Sequence, residues 1–361
     1  MKLARPTLVT ILFNAALLVS LPAQAQADRP MSAAERKASL YQLADKVEQN
    51  YVFPDVAKAL KHELRQRADN DSYREQTSAR ALASQLSKDL PLLSKDKHFR
   101  VNYAPEFVAD EKPFQAPSAA EVAENLEQAQ IRAYGIERVE RLNGNIGYLD
   151  LRGFGPAYAV ASGYTAALTL LSGTDALILD LRRNRGGKPE GVALLLSYFF
   201  TQGDERHLNS IYSRPENQTR DFYTSDNIGP RYNKPVYVLT SSSTFSGAEE
   251  CAYDFQTQKR ATLIGEVTGG GANPVAPYAI ANGLVAAIPF GRAINPITKT
   301  NWEGVGVKPD LPSSAADALK LAYQTALETL IRKPRDEQHQ QVLQRTLARL
   351  QKAEIDLPAY K

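Results

Sequence analysis

Several residue types on which function often rests are scarce in this chain. Its 361 residues include one cysteine, four histidines, one tryptophan and two methionines. A single thiol excludes an intrachain disulfide and a thiolate metal cluster, so packing has to supply the stability. Cys251 itself lies in an apolar helical run and reads as a core residue. The histidines, His62, His98, His207 and His339, form no HExxH helix, so no metal and no other cofactor is expected. An excess of one charge is missing too: Lys plus Arg number 43 and Asp plus Glu 40, which gives no reason to expect nucleic acid as a partner.

The one long apolar run is at the start. Lys2 and Arg5 precede a mostly apolar stretch from Leu8 to Leu21, and Ala23-Gln24-Ala25-Gln26-Ala27 offers small residues for cleavage. Residues 1–27 are therefore expected to be a signal peptide, removed from a periplasmic or secreted protein. Its removal leaves 41 basic against 40 acidic residues. No later run approaches the ~20 apolar residues of a membrane span.

Hydrophobic periodicity divides the remainder. Leu40, Leu43, Val47 and Tyr51, then Val56, Leu60 and Leu64, then Leu82, Leu86 and Leu90 recur at helical spacing, with Pro54, Asn70-Asp71 and Pro91 between pieces. These define a helical domain over 28–95. Residues 96–130 are expected to hold a strand starting at Asp96 and a linker carrying Pro105, Pro113 and Pro117. Buried-strand runs at 146–151, 176–181, 236–240 and 262–265 alternate with helical runs, which predicts an α/β core over 131–312. A further hairpin is expected over 278–288. Residues 313–361 read as a helical tail broken at Pro334.

Two loops of that core follow a buried strand and precede a helix, where α/β sheets present ligand sites. Thr240 to Glu250 contains Ser246, which is either an exposed nucleophile or a helix N-cap. Asp180 to Gly187 ends in Gly186-Gly187, which either turn backbone N–H groups toward a developing oxyanion or serve a tight turn. It lacks the Lys-Ser/Thr ending of a nucleotide-binding P-loop. Three of the histidines sit among charged residues and read as surface, His207 in a polar loop. His98, beside Phe99 and Val101 at the junction of the helical domain and a strand, is either a structural residue or a general base. Glu303 in Trp302-Glu303-Gly304 reads by itself as a turn carboxylate. Glu249 and Glu250 in the first helical turn suit the helix dipole.

The ordered set Asn50-Tyr51-Val52-Phe53-Pro54, Asp96-Lys97-His98-Phe99-Arg100-Val101, Leu179-Asp180-Leu181-Arg182, Thr244-Phe245-Ser246-Gly247-Ala248-Glu249, Gly265 to Gly271 and Asn301 to Asp310 resembles the carboxyl-terminal processing (tail-specific) serine peptidases. The similarity is to the branch of interphotoreceptor retinoid-binding protein and the tricorn core protease. It implies a crotonase-like βα core behind a helical domain, and hydrolysis of peptide bonds in peptide or unfolded protein substrates through a serine acyl-enzyme. Ser246 would be the nucleophile, His98 the base and Glu303 the support of the charged imidazole. Gly186 or Gly187, with Gly247, would form the oxyanion hole.

Three departures from the better-known members bear on mechanism. Family members with a Ser-Lys dyad carry their lysine where this chain has Gly271, so the resemblance implies the histidine-dependent mechanism. About 45 residues separate His98 from Gly144, too few for the PDZ domain inserted in many members. Lys97 stands before His98, where the tricorn branch has serine, which leaves open how Glu303 reaches the imidazole. The alternatives are a binding protein for apolar ligands or peptides on the same fold, and an esterase.

Overall fold

The computed structural model describes residues 28–107, 116–333, 336–358 and 360. The expected signal peptide, Pro113 of the expected linker and Pro334 lie outside them.

Three helices open the described chain: α1 (Ala33–Asn50), α2 (Pro54–Asp69) and α3 (Ala79–Ser94). A Ser32/Glu35 capping box starts α1, Pro54 occupies the first turn of α2, and Ser78 caps α3. Pro91 does not separate pieces as expected; α3 runs through it to Ser94 and stops where Lys95 turns left-handed at φ 62°. The expected strand also starts later. Asp96 to Phe99 form a turn, and β1 spans Arg100–Tyr103.

After β1 the structure shows α4 (Ala119–Ile131) in place of a linker reaching residue 130, begun by a second capping box, Ser118 with Glu121. The core follows as β2 (Ile136–Leu142), β3 (Ile146–Leu151), α5 (Ala157–Leu171), β4 (Ala176–Asp180), α6 (Pro189–Ser197), β5 (His207–Ser213), β6 (Gln218–Tyr223), β7 (Val236–Thr240), α7 (Gly247–Thr257) and β8 (Thr262–Gly265). Next come β9 (Val275–Ile280), β10 (Leu284–Pro289), β11 (Gly291–Ile294), β12 (Leu311–Pro312), α8 (Ala318–Ile331) and α9 (Glu337–Gln351).

The main sheet has the order β12-β8-β7-β4-β3-β2 and is parallel except for β2. Strands β3, β4 and β7 are buried at every residue because helices cover both faces. Leu149, Leu177 and Leu179 meet α5, α6 and α7 on one side; Tyr148, Ile178 and Leu239 meet α8 and α9 on the other.

Two small sheets complete the fold. The hairpin β5–β6, with β11 added, was missed because its residues alternate polar and apolar without an apolar run; His207 is therefore a strand residue, stacked on Tyr223. The expected hairpin is β9–β10, and β1 pairs with β10 (Val101 opposite Ala286). This sheet shares one apolar core with α1, α2 and α3 through Phe99, Val101, Ile280 and Ile288. The segment carrying His98 is thereby fastened to the core region that follows Ser246.

Candidate active site

Strands β4 and β7 are adjacent and parallel, so the loops leaving their carboxyl ends meet in one crevice. The loop after β7 is held from below: Thr244 Oγ1 donates to the Leu181 carbonyl at 2.8 Å, and Phe245 N–H donates to the Asn184 carbonyl at 3.1 Å. Ser246 sits at the turn between β7 and α7 with φ 55° and ψ −125°, a conformation a non-glycine residue holds only when its surroundings fix it. Its N–H donates to Glu249 Oε2 at 2.9 Å.

Glu249 does more than favour the helix dipole. It is fully buried, and its two oxygens also accept from Thr268 Oγ1 and the N–H groups of Gly270 and Gly271, at 2.5, 2.6 and 2.8 Å. Burial still holds its acid strength down, pushing the pKa upward against those hydrogen bonds. One carboxyl thus ties the Ser246 turn to the Thr268–Gly271 loop.

The imidazole of His98 lies over that loop. A Cβ on Gly271 would stand 2.6 Å from His98 Cε1 and 2.3 Å from the tip of the Phe245 ring, so the absence of a side chain at 271 is what lets the imidazole in. The His98 and Phe245 rings pack with centroids 4.6 Å apart. His98 and Ser246 line one cavity of about 1290 Å³, although neither nitrogen of His98 is hydrogen-bonded. Catalytic contacts commonly tighten only when substrate is bound.

Two carboxyls flank the ring. Asp96 Oδ1 accepts the His98 backbone N–H at 3.0 Å and stands 3.7 Å from Nδ1. Asp96 Oδ2 accepts from Asn273 Nδ2 at 2.9 Å and from the Tyr51 hydroxyl at 3.3 Å. Glu303 Oε2 accepts from Ala272 N–H at 2.5 Å, while its buried Oε1 has no hydrogen-bond partner. Burial, and then the charge of Asp96, push the Glu303 pKa up to about 7. Donor atoms of Asp96, His98 and Glu303 lie within 4.8 Å of one another, and among the described residues this is the group a cation could bridge. Asp96 and Glu303 Oε2 already accept N–H or O–H bonds, an arrangement that suits holding an imidazolium. Asp96 was missed as a site residue; its place two positions before His98 was the available signal.

The glycine turn requires a correction. Gly186 N–H donates to Asn184 Oδ1 at 2.8 Å and is not free to stabilise an oxyanion. Gly187 N–H and Gly247 N–H make no hydrogen bond among the described residues, and a Cβ on Gly247 would be 3.1 Å from Gly187 N. Gly247 opens α7, so its N–H is also an unpaired donor at the positive end of the helix. Gly187 has φ 141°, and a Cβ there would stand 2.0 Å from the Phe154 carbonyl oxygen, so only glycine fits. Asn184, whose Nδ2 donates to the Leu151 carbonyl at 3.0 Å, is the residue that shapes this turn.

Comparison with known proteins gives two family matches: residues 145–313 match peptidase family S41, and residues 33–139 match the N-terminal domain of peptidase S41 in eukaryotic IRBP. Carboxyl-terminal-processing peptidase 2, chloroplastic, of Arabidopsis thaliana is 30% identical over 171 residues, 46% of this chain and 32% of its own length. Carboxyl-terminal-processing peptidase 1, chloroplastic, of the same plant is 25% identical over 179 residues, 49% of this chain. The chain thus covers about a third of the length of these curated relatives (32% and 35%). In fold it is similar to a lipoprotein from Streptococcus agalactiae (TM-score 0.53, 14% identity, 83% of this chain and 98% of that one). It is also similar to the tricorn protease (TM-score 0.50, 14% identity, 87% and 37%). Among the described residues, no helix is long and apolar enough to cross a membrane.

Proposed function

We propose that this chain, which belongs to peptidase family S41, is a serine peptidase that cleaves peptides or unfolded protein segments through an acyl-enzyme on Ser246. The observation that carries the reading is the meeting of three separate segments at one cavity: Ser246, the His98 imidazole packed on Phe245, and the unpaired N–H groups of Gly187 and Gly247.

In this reading His98 Nε2 takes the Ser246 hydroxyl proton as Oγ attacks the scissile carbonyl carbon. The carbonyl oxygen, now negative, accepts from Gly187 and Gly247 N–H; losing one such donor typically costs about 3 kcal/mol in the barrier. The imidazolium is stabilised by Asp96 and Glu303, then passes its proton to the leaving amine. A water deprotonated by His98 releases the acyl group. No lysine is needed, which agrees with glycine at 271. The parallel core with its preceding helices supports a crotonase-like arrangement, with substrate delivered without a PDZ domain. The apolar start of the sequence supports export to the periplasm or the exterior.

The test is labelling of the purified chain with a fluorophosphonate, followed by peptide mapping. Expected is modification at Ser246, lost in Ser246→Ala and strongly slowed in His98→Ala, together with peptide hydrolysis. A folded wild-type chain that stays unlabelled and cleaves no peptide would overturn the proposal.

A further inference from the structure

Ser246 caps α7, and Glu250 lies in the first turn of that helix. Both border the large cavity. Opposite Glu250 stands the sheet β11-β5-β6, whose cross-strand pairs Ile211 with Ala293 and Asn209 with Phe222 put these four side chains on one face, all four bordering the cavity. Beside the nucleophile there is consequently a branch with apolar walls from Ile211, Phe222 and Ala293 and a polar end formed by Asn209 and Glu250.

That polar end is rich in acceptors: Asn295 Nδ2 donates to Asp254 Oδ1 at 3.2 Å, while Asp254 Oδ2 and Asn209 Oδ1 accept no hydrogen bond among the described residues. Glu250 is 5% exposed, and one turn further along α7 Asp254 is 1% exposed with Oδ2 unpartnered. Asn209 is 1% exposed and faces the Glu250 carboxyl, whose charged form its amide favours without a hydrogen bond of full geometry, and its Oδ1 is unpartnered. Arg220, at the side of the branch, pairs with Glu190 at 3.3 Å. Burial pushes both α7 carboxyls upward in pKa. Buried polar groups are ordinarily paired, so the unpartnered Asn209 Oδ1 beside the Glu250 carboxyl suits a guest that donates.

We infer that this branch is the specificity pocket of the peptidase, and that it takes a lysine or arginine side chain flanking the scissile bond, with its aliphatic stem along Ile211, Phe222 and Ala293 and its cationic head on Glu250 and Asn209. The inference rests on the peptidase reading for its link to cleavage, while binding by the pocket can be measured without it.

The experiment has two arms. In the first, the wild-type chain digests a mixed peptide library and the cleavage sites are read by mass spectrometry. Lysine or arginine is expected beside the cut at least ~10-fold more often than methionine, with that ratio collapsing in Glu250→Gln. Asn209→Leu, which makes the polar end apolar, is a second variant expected to shift the ratio toward methionine. In the second arm, calorimetry on Ser246→Ala compares acetyl-Ala-Ala-Arg-amide with its norleucine counterpart, and at least ~10-fold tighter binding of the arginine peptide is expected. Equal binding, or cutting at apolar residues with a ratio indifferent to both variants, overturns the pocket assignment. A chain that cleaves nothing and resists the fluorophosphonate counts against the peptidase reading, and the calorimetric comparison then decides the pocket by itself.

Discussion

Replacement of Gly271 by alanine tests the central geometry with a single methyl group. The backbone at 271 lies outside the left-handed region, so alanine meets no conformational strain and the effect is steric. The new Cβ would stand 2.3 and 2.5 Å from two Phe245 ring carbons and 2.6 Å from His98 Cε1. Ordinary carbon contacts are about 3.5–4.0 Å, so each of the two rings has to retreat by roughly 1 Å. Gly269 borders the Phe245 ring as well, since a Cβ there would stand 2.7 Å from Cδ2. A displacement of that size at the base is expected to cost about 100-fold in kcat/KM, or roughly 2.7 kcal/mol in the barrier. The global overpacking cost should stay within about 1–3 kcal/mol. The assay is peptide kcat/KM and the fluorophosphonate labelling rate, beside a thermal melt. Gly173→Ala serves as control, because a methyl there meets nothing within 4 Å. If Gly271→Ala folds and works within about twofold of wild type, the imidazole is not confined by this loop and the reasoning fails.

Glu249→Gln replaces an acceptor of four hydrogen bonds by an amide that turns two of its own N–H groups toward donors; a loss of about 1–3 kcal/mol in a denaturant melt and slower Ser246 labelling are expected. Gly187→Ala drives a methyl into the Phe154 carbonyl at a φ that disfavours any side chain, so both labelling and soluble yield should fall steeply. Glu303 also makes stability depend on pH. Its carboxyl ionises near 4.5 when unfolded and near 7 when folded, so between those values the native state holds the extra proton and stability falls as pH rises, levelling above about 7. Thermal melts should show that decline in wild type and a shallower one in Glu303→Gln; parallel curves would refute the assignment.

Much of this was legible because burial writes itself into sequence. The runs 146–151, 176–180 and 236–240 are apolar on both faces, and no other element of that length fits them. Ser246 and the 186–187 glycines stood out as loops following such strands. Charged or alternating segments were harder. Strand β2 and the β5–β6 hairpin are half-exposed, and α4 carried its capping box unnoticed behind a proline-rich stretch. Asn184 and Glu249 were illegible for another reason: each bonds to backbone groups brought near by tertiary contacts, Asn184 to Leu151 and Glu249 to Gly270 and Gly271. Composition records no such partner. The Asn184 bond that occupies Gly186 is local, yet only coordinates could choose between the neighbouring glycines.

The pairing of β1 with β10 has a consequence for biosynthesis. The imidazole is translated early, with a helical layer whose apolar core is finished only when β9 and β10 arrive. A nascent or truncated polypeptide therefore carries the imidazole and the Ser246 hydroxyl on portions not yet docked. In the proposed mechanism the two groups meet only once β1 has paired with β10, so that strand pairing acts as the safety catch.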